Sequence, residues 1–210
     1  EATKEAPQAD MVRIVVLALG KLGGEELNYA SDIDLIFIHE ACDDSESKLA
    51  TEIALSTYKI LTEASEGEPL FRVDLRLRPE GATGPIIKSL ASTLEYYRAR
   101  GRTWERQALI KTRPIAGHMD LGDRFLEEVR PFIYRRGMTP EAIAEIQGLR
   151  KIMESRTKNT VDVKQGIGGI RDIEFAVQFL QLLCGATQPD VRRTGTLAAL
   201  GALYSLRILS

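Results

Sequence analysis

Asp32 and Asp34 stand two residues apart in Ser31–His39, whose sequence is SDIDLIFIH. In a strand, residues two apart leave the same face, so both carboxylates point together. Held that close, they repel each other unless a cation lies between them. A hard divalent ion with oxygen ligands, Mg²⁺ or else Mn²⁺, suits such a pair. Taken alone, the two acids also read as a solvated pair at a strand end.

Three further features enlarge the constellation. Gly20-Lys21-Leu22-Gly23-Gly24 follows a strand-like run, where small residues at Gly20, Gly23 and Gly24 let backbone N–H groups approach a phosphate and Lys21 adds a point charge. Ser31 directly precedes the acids, where a hydroxyl can bond a phosphate oxygen. Phe71–Arg78 then alternates strictly, with Val73, Leu75 and Leu77 facing one way and Arg72, Asp74, Arg76 and Arg78 the other. An acid among arginines supplies a third metal ligand and clamps for phosphates, although it also fits a half-buried strand with a solvated face.

The elements that must position these residues differ between the two halves of the chain. Arg13–Leu19, Ser31–His39 and Phe71–Arg78 read as strands, and the acidic patch Asp43–Ser47 reads as a turn. Helices are expected over 48–64, 89–100 and 103–111. The second half reads as helical, with stripes at Ile143, Ile146, Leu149 and Met153, then at Ile173, Val177, Leu180 and Leu183, and then at Leu197, Leu200, Leu203 and Leu206. Gly166–Gly169 breaks the helical pattern. The expected fold is α+β, a mixed sheet with helices followed by an all-helical bundle. The expected division is a linker at 1–10, a catalytic domain at 11–120 and a helical domain at 121–210. The non-Met start and linker-like opening read as a piece excised from a longer chain.

Composition removes several classes. Lys plus Arg total 28 against 30 Asp plus Glu, a net charge of -2 that speaks against a general grip on nucleic acid. No apolar run approaches the roughly 18 residues of a membrane span. Cys42 and Cys184 form no disulfide framework, and with His39 and His118 no zinc-type cluster, so a reducing, cytoplasmic setting is expected.

The glycine loop, the paired acids and the later acid resemble the nucleotidyltransferase superfamily typified by DNA polymerase beta. More narrowly, the run from Leu19 to Phe37 resembles the bifunctional glutamine synthetase adenylyltransferase/adenylyl-removing enzymes. So do Val73–Pro79, Tyr96-Tyr97, Trp104–Lys111 and Gly166–Phe175. That resemblance implies a polymerase beta-like catalytic sheet in which Asp32, Asp34 and Asp74 hold Mg²⁺ and carry catalysis. Gly20, Lys21, Gly23, Gly24, Ser31, Arg76, Arg78 and Arg171 would bind phosphate or nucleotide.

The family joins two homologous halves. One transfers AMP from ATP to a tyrosine of glutamine synthetase, and the other removes it with phosphate, releasing ADP. Phe132–Arg136 and Arg171 within GGIRDIEF resemble the removing half and place Arg171 at the active-site rim. The plainer reading has Arg171 tying its turn to Asp172 or Glu174. Alternatives are the ATP-using half, or a non-catalytic docking module for the PII signalling protein, which the full-length enzyme is expected to bind. Trp104 is expected chiefly as a core anchor, with adenine stacking as the other reading. Lys111 and Arg113 are expected to point back toward the α/β half or to stabilise the end of their own helix.

Overall fold

A computed structural model of the 210-residue chain describes residues 12–29, 31–63, 71–135, 137, 144, 148, 163 and 168–209. The strands are β1 (Arg13–Leu19), β2 (Ile33–Glu40), β3 (Val73–Asp74), β4 (Ile87–Ser89) and β5 (Arg113–Gly117). Among the described residues the α-helices with defined bounds are α1 (Gly20–Gly23), α2 (Asp44–Thr62), α3 (Leu90–Arg100), α4 (Thr103–Leu109), α5 (Met119–Ile133), α6 (Ile170–Cys184) and α7 (Thr196–Ser205).

The five strands form one mixed sheet in an α+β fold. Its order is β3-β2-β1-β5, and β4 also pairs with β2. β1 runs antiparallel to β2 and β5, whereas β3 and β4 run parallel to β2 along one edge.

Both faces of the sheet are covered, which explains the near-continuous apolar runs in β1 and β2. Val15, Leu17, Leu19, Ile36 and Ile38 face a layer built by Leu94 and Tyr97 of α3 and by Leu121, Phe125, Val129 and Ile133 of α5. Ala18, Ile33, Leu35 and Phe37 face α2 through Ala50 and Ala54. The alternation of residues between the two layers follows the period of two in a strand. A separate cluster of Val177, Val191, Ala199 and Leu203 joins α6 to α7.

Several sequence expectations change. α5, which begins beside the expected 120/121 boundary, packs into the sheet's own core. The turn expected at Asp43–Ser47 is already helical, because the Asp43 carboxylate accepts the Glu46 N–H and caps α2. The strand expected over Phe71–Arg78 is paired only at Val73–Asp74. There the Asp74 side chain accepts the Arg76 N–H at 2.8 Å and turns the chain out of the sheet. Of the last stripe, Leu203 is buried beside Ala199 with Leu200 and Leu206 packed against them, whereas Leu197 is exposed. β4 and β5 were not anticipated, being short, with Pro114 inside β5. The stripe Ile143–Met153 and the residues Arg136, Gly166 and Ile167 lie outside the described residues.

Candidate active site

The acids sit where the sheet ends. β2 and β3 pair in parallel register, Ile33 with Val73 and Asp34 with Asp74, so Asp34 and Asp74 are neighbours on adjacent strands. Asp32 lies just ahead of β2. Burial, first, and then the charges of Asp74 and Asp32 push the Asp34 carboxyl up to about 6. No hydrogen bond or ion pair holds Asp34 among the described residues.

The other two acids have cationic partners. Arg72 Nε lies 2.9 Å from Asp32 Oδ1. Arg76 grips Asp74 through Nε at 3.0 and 2.9 Å and through NH2 at 2.5 Å, holding that carboxyl below the usual range. Among the described residues no group of three acids, histidines or cysteines stands in metal-binding geometry with the side chains placed in this way.

The donor set still suits a hard divalent cation. It consists of three adjacent carboxylates, one of them unpaired and resisting ionisation, while arginines neutralise the other two. A cation bound there would replace Arg72 and Arg76 as the counter-charge.

The acids border two clefts. One, of about 460 Å³, is lined by Asp32, Arg72, Asp74, Arg76 and Arg78, among others. Arg78 is committed there to the loop beyond β3, donating to the carbonyls of Leu75, Ala82, Gly84 and Pro85. It clamps the 75–85 turn, in place of the phosphate contact expected of it. The other cleft, of about 380 Å³, brings Gly20, Lys21 and Asp34 together with residues of α4 and α6.

The glycine loop forms a single helical turn, α1, directly after β1. Gly20 has φ +53, and a Cβ there would stand 2.3 Å from Asp34 Oδ2. A Cβ on Gly23 would stand 1.9 Å from the Lys111 carbonyl oxygen. These glycines thus admit Asp34 on one side and the approach to β5 on the other. Gly24 lies close to the Thr194 carbonyl, at 3.1 Å from a built Cβ. Ser31 stays outside both clefts, its N–H donating to the Asn28 carbonyl at 3.1 Å.

Lys21 and Lys111 meet on one carboxylate. Glu174 Oε1 accepts from Lys21 Nζ and from Lys111 Nζ, at 3.0 Å each. Lys111 is 3% exposed and also bonds Glu26 at 2.7 Å and the Thr196 hydroxyl at 3.0 Å. This buried network ties α1, the start of β5, α6 and α7 together. Arg113 donates to the Leu22 and Gly23 carbonyls, so it caps α1 rather than the helix that precedes it.

Arg171 differs from both lysines. It lines the cleft with Asp34 and makes no hydrogen bond or ion pair among the described residues. Its two expected partners are engaged elsewhere. Asp172 accepts the Gly168 N–H at 2.8 Å, and Glu174 holds the lysines.

Residues 2–128 match the family model described as glutamate-ammonia ligase adenylyltransferase, more than half of the chain. The chain belongs to the glutamate-ammonia ligase adenylyltransferase family. Residues 140–210 match a second model, GlnD PII-uridylyltransferase. A bifunctional glutamine synthetase adenylyltransferase/adenylyl-removing enzyme of Streptomyces avermitilis is 37% identical over 208 residues, covering 96% of this chain and 21% of its own length. A protein of the same description from Rhodopseudomonas palustris strain TIE-1 is 41% identical over 202 residues, covering 90% and 20%. One from Xanthobacter autotrophicus is 40% identical over 209 residues, covering 92% and 21%. The chain spans about a fifth of the length of these relatives.

For this member of the adenylyltransferase family, sequence reading passed over Glu26, Gln107 and Gln178 and gave Glu174 only as a partner for Arg171. The signal for α6 was present: Arg171, Glu174, Phe175 and Gln178 recur at helical spacing, as Trp104, Gln107 and Ala108 do on α4. Trp104 is half-buried and lies on the cleft. No helix among the described residues is long and apolar enough to cross a membrane.

Proposed function

We propose that this chain is the nucleotidyl-transfer unit of an adenylyl-removing enzyme. It would take AMP from a tyrosine of adenylylated glutamine synthetase with inorganic phosphate and release ADP. The observation that carries this reading is Arg171, a cation open to the cleft beside Asp34 with no partner among the described residues. Incoming phosphate is a small dianion that needs a cationic site of its own, and a guanidinium fork binds two of its oxygens at once. An incoming tyrosine hydroxyl needs no such site.

In the reaction, an oxygen of hydrogen phosphate forms a bond to the AMP phosphorus and the bond from that phosphorus to the tyrosine oxygen breaks. The proton of hydrogen phosphate ends on the tyrosine, so charge and atoms balance. Arg171 orients the attacking phosphate. Lys21, which is paired with Glu174 in the cleft, would absorb part of the charge developing on the transferred phosphoryl group. Asp32, Asp34 and Asp74 would hold a divalent cation, which when bound polarises the phosphoryl oxygens.

The same acids would serve transfer from ATP, so the direction is tested by supplying each substrate set in turn. The chain is incubated with AMP-modified glutamine synthetase and phosphate, and separately with the unmodified enzyme and ATP. ADP release in the first mixture alone is the expected result. Labelling in the second mixture alone would assign the chain to the transferring half.

A further inference from the structure

Two helices, α4 and α6, line the cleft of about 380 Å³ together with α1 and β2. Asp34, Lys21, Arg171 and Glu174 provide charge; Trp104, Ala108 and Phe175 provide apolar surface; Gln107 and Gln178 provide a pair of amides. Gln107 Nε2 donates to Gln178 Oε1 at 2.9 Å. That bond leaves Gln107 Oε1 to accept and Gln178 Nε2 to donate. Neither atom has another hydrogen bond among the described residues, and neither is sealed from solvent, although Gln107 as a whole is only 8% exposed. The cleft therefore offers aromatic surface, one amide acceptor and one amide donor, together with charged side chains of both signs.

An adenine ring matches this pattern. Its flat faces stack on aromatic side chains. Its edge presents an amino donor beside a ring-nitrogen acceptor, complementary to one amide oxygen and one amide N–H. The corresponding guanine edge places an acceptor where adenine has its amino donor. We infer that Gln107 and Gln178 read the base of the transferred nucleotide, with Trp104 and Phe175 as its apolar walls. The inference rests on the nucleotidyl-transfer reading above and adds the residues that set base specificity. Packing between α4 and α6 orients the amide pair, because the bond that leaves the acceptor and donor open also joins the two helices.

Trp104 is the single tryptophan of the chain, so its emission reports on this cleft directly. The 210-residue chain is titrated, with Mg²⁺ present, with AMP, GMP, ribose 5-phosphate and inorganic phosphate. AMP is expected to change the emission and to bind roughly tenfold more tightly than GMP, the worth of a mispaired hydrogen bond at a half-buried site. Ribose 5-phosphate and phosphate are expected to leave Trp104 emission unchanged. Gln178→Ala, on a half-buried position, should bring AMP and GMP to similar affinities while AMP still perturbs Trp104. Equal affinity of the unmodified chain for AMP and GMP, or AMP binding that leaves Trp104 emission unchanged, overturns the inference. The inference also fails if Gln178→Ala keeps full discrimination. Each of these outcomes leaves the phosphorolysis reading standing if ADP is still released from modified glutamine synthetase. Base discrimination without any adenylyl transfer would support the inference and overturn the activity.

Discussion

Gly20 and Asp34 are in direct contact: a Cβ on Gly20 would stand 2.3 Å from Asp34 Oδ2, and Gly20 holds φ +53. The glycine thereby makes room for the acid that the site leaves unpaired. An added methyl group at position 20 meets both a left-handed backbone and the carboxylate.

Gly20→Ala should therefore lower stability by about 1–3 kcal/mol and weaken activity by displacing Asp34. Urea unfolding of Gly20→Ala, Asp34→Ala and the double variant provides the check. The two changes should couple by about 1 kcal/mol or more, because the second removes the atom with which the first collides. Simple additivity would mean that position 20 acts through its backbone alone.

The raised Asp34 carboxyl carries a pH dependence. An unfolded Asp titrates near about 4, whereas in the fold burial and the neighbouring acids move Asp34 to about 6. Between these values the folded state binds more protons, so this group's contribution makes stability fall as pH rises from about 4 to about 6, then level off. In chelator, Asp34→Asn should remove that component. The variant should gain on the parent through this window and stay ahead above it. A constant difference between the two proteins from pH 4 to 7 would contradict the assignment.

Glu174 neutralises two lysines at once, one of them almost fully buried. Glu174→Gln should cost about 1–3 kcal/mol, since Lys111 keeps Glu26 and Thr196 but loses a charged partner. Denaturant midpoints measure this. A change under about 0.5 kcal/mol, the range of ordinary surface substitutions, would show that the network does not tie the sheet to α6.

Arg76 occupies the Asp74 carboxylate that a divalent cation would use. Arg76→Ala should therefore tighten Mn²⁺ or Mg²⁺ binding measured by calorimetry, while Asp74→Asn weakens it. Weaker metal binding in Arg76→Ala would show that the guanidinium supports the site rather than competing for it.

How much of this was legible beforehand depended on the range of the interaction. β1 and β2 declared themselves through apolar runs bounded by glycine and acid, and their pairing follows from burial on both faces. The acids were legible because residues two apart on a strand must share a face. The alternation at Phe71–Arg78 misled, because Asp74 captures the Arg76 backbone N–H and ends the strand after two residues. Arg78 misled for a similar reason, since its partners are carbonyls up to seven residues further along the chain. The joint use of Glu174 by Lys21 and Lys111 spans 153 and 63 residues, and no local pattern announces it. β5 was hidden by its proline and by having its partner at the far end of the sheet domain.

In the proposed phosphorolysis, phosphate attacks the AMP phosphorus and Arg171 orients it. The most direct measurement follows radiolabelled inorganic phosphate with AMP-modified glutamine synthetase and the chain. The label is expected in the β-phosphate of ADP, at a rate that saturates with phosphate. Arg171→Ala should raise the phosphate concentration needed for half-maximal rate by about tenfold or more, the loss of one charge-assisted contact, and leave the unfolding midpoint nearly unchanged. Release of unlabelled AMP, or a protein that ignores phosphate and labels unmodified glutamine synthetase from ATP, would contradict the account.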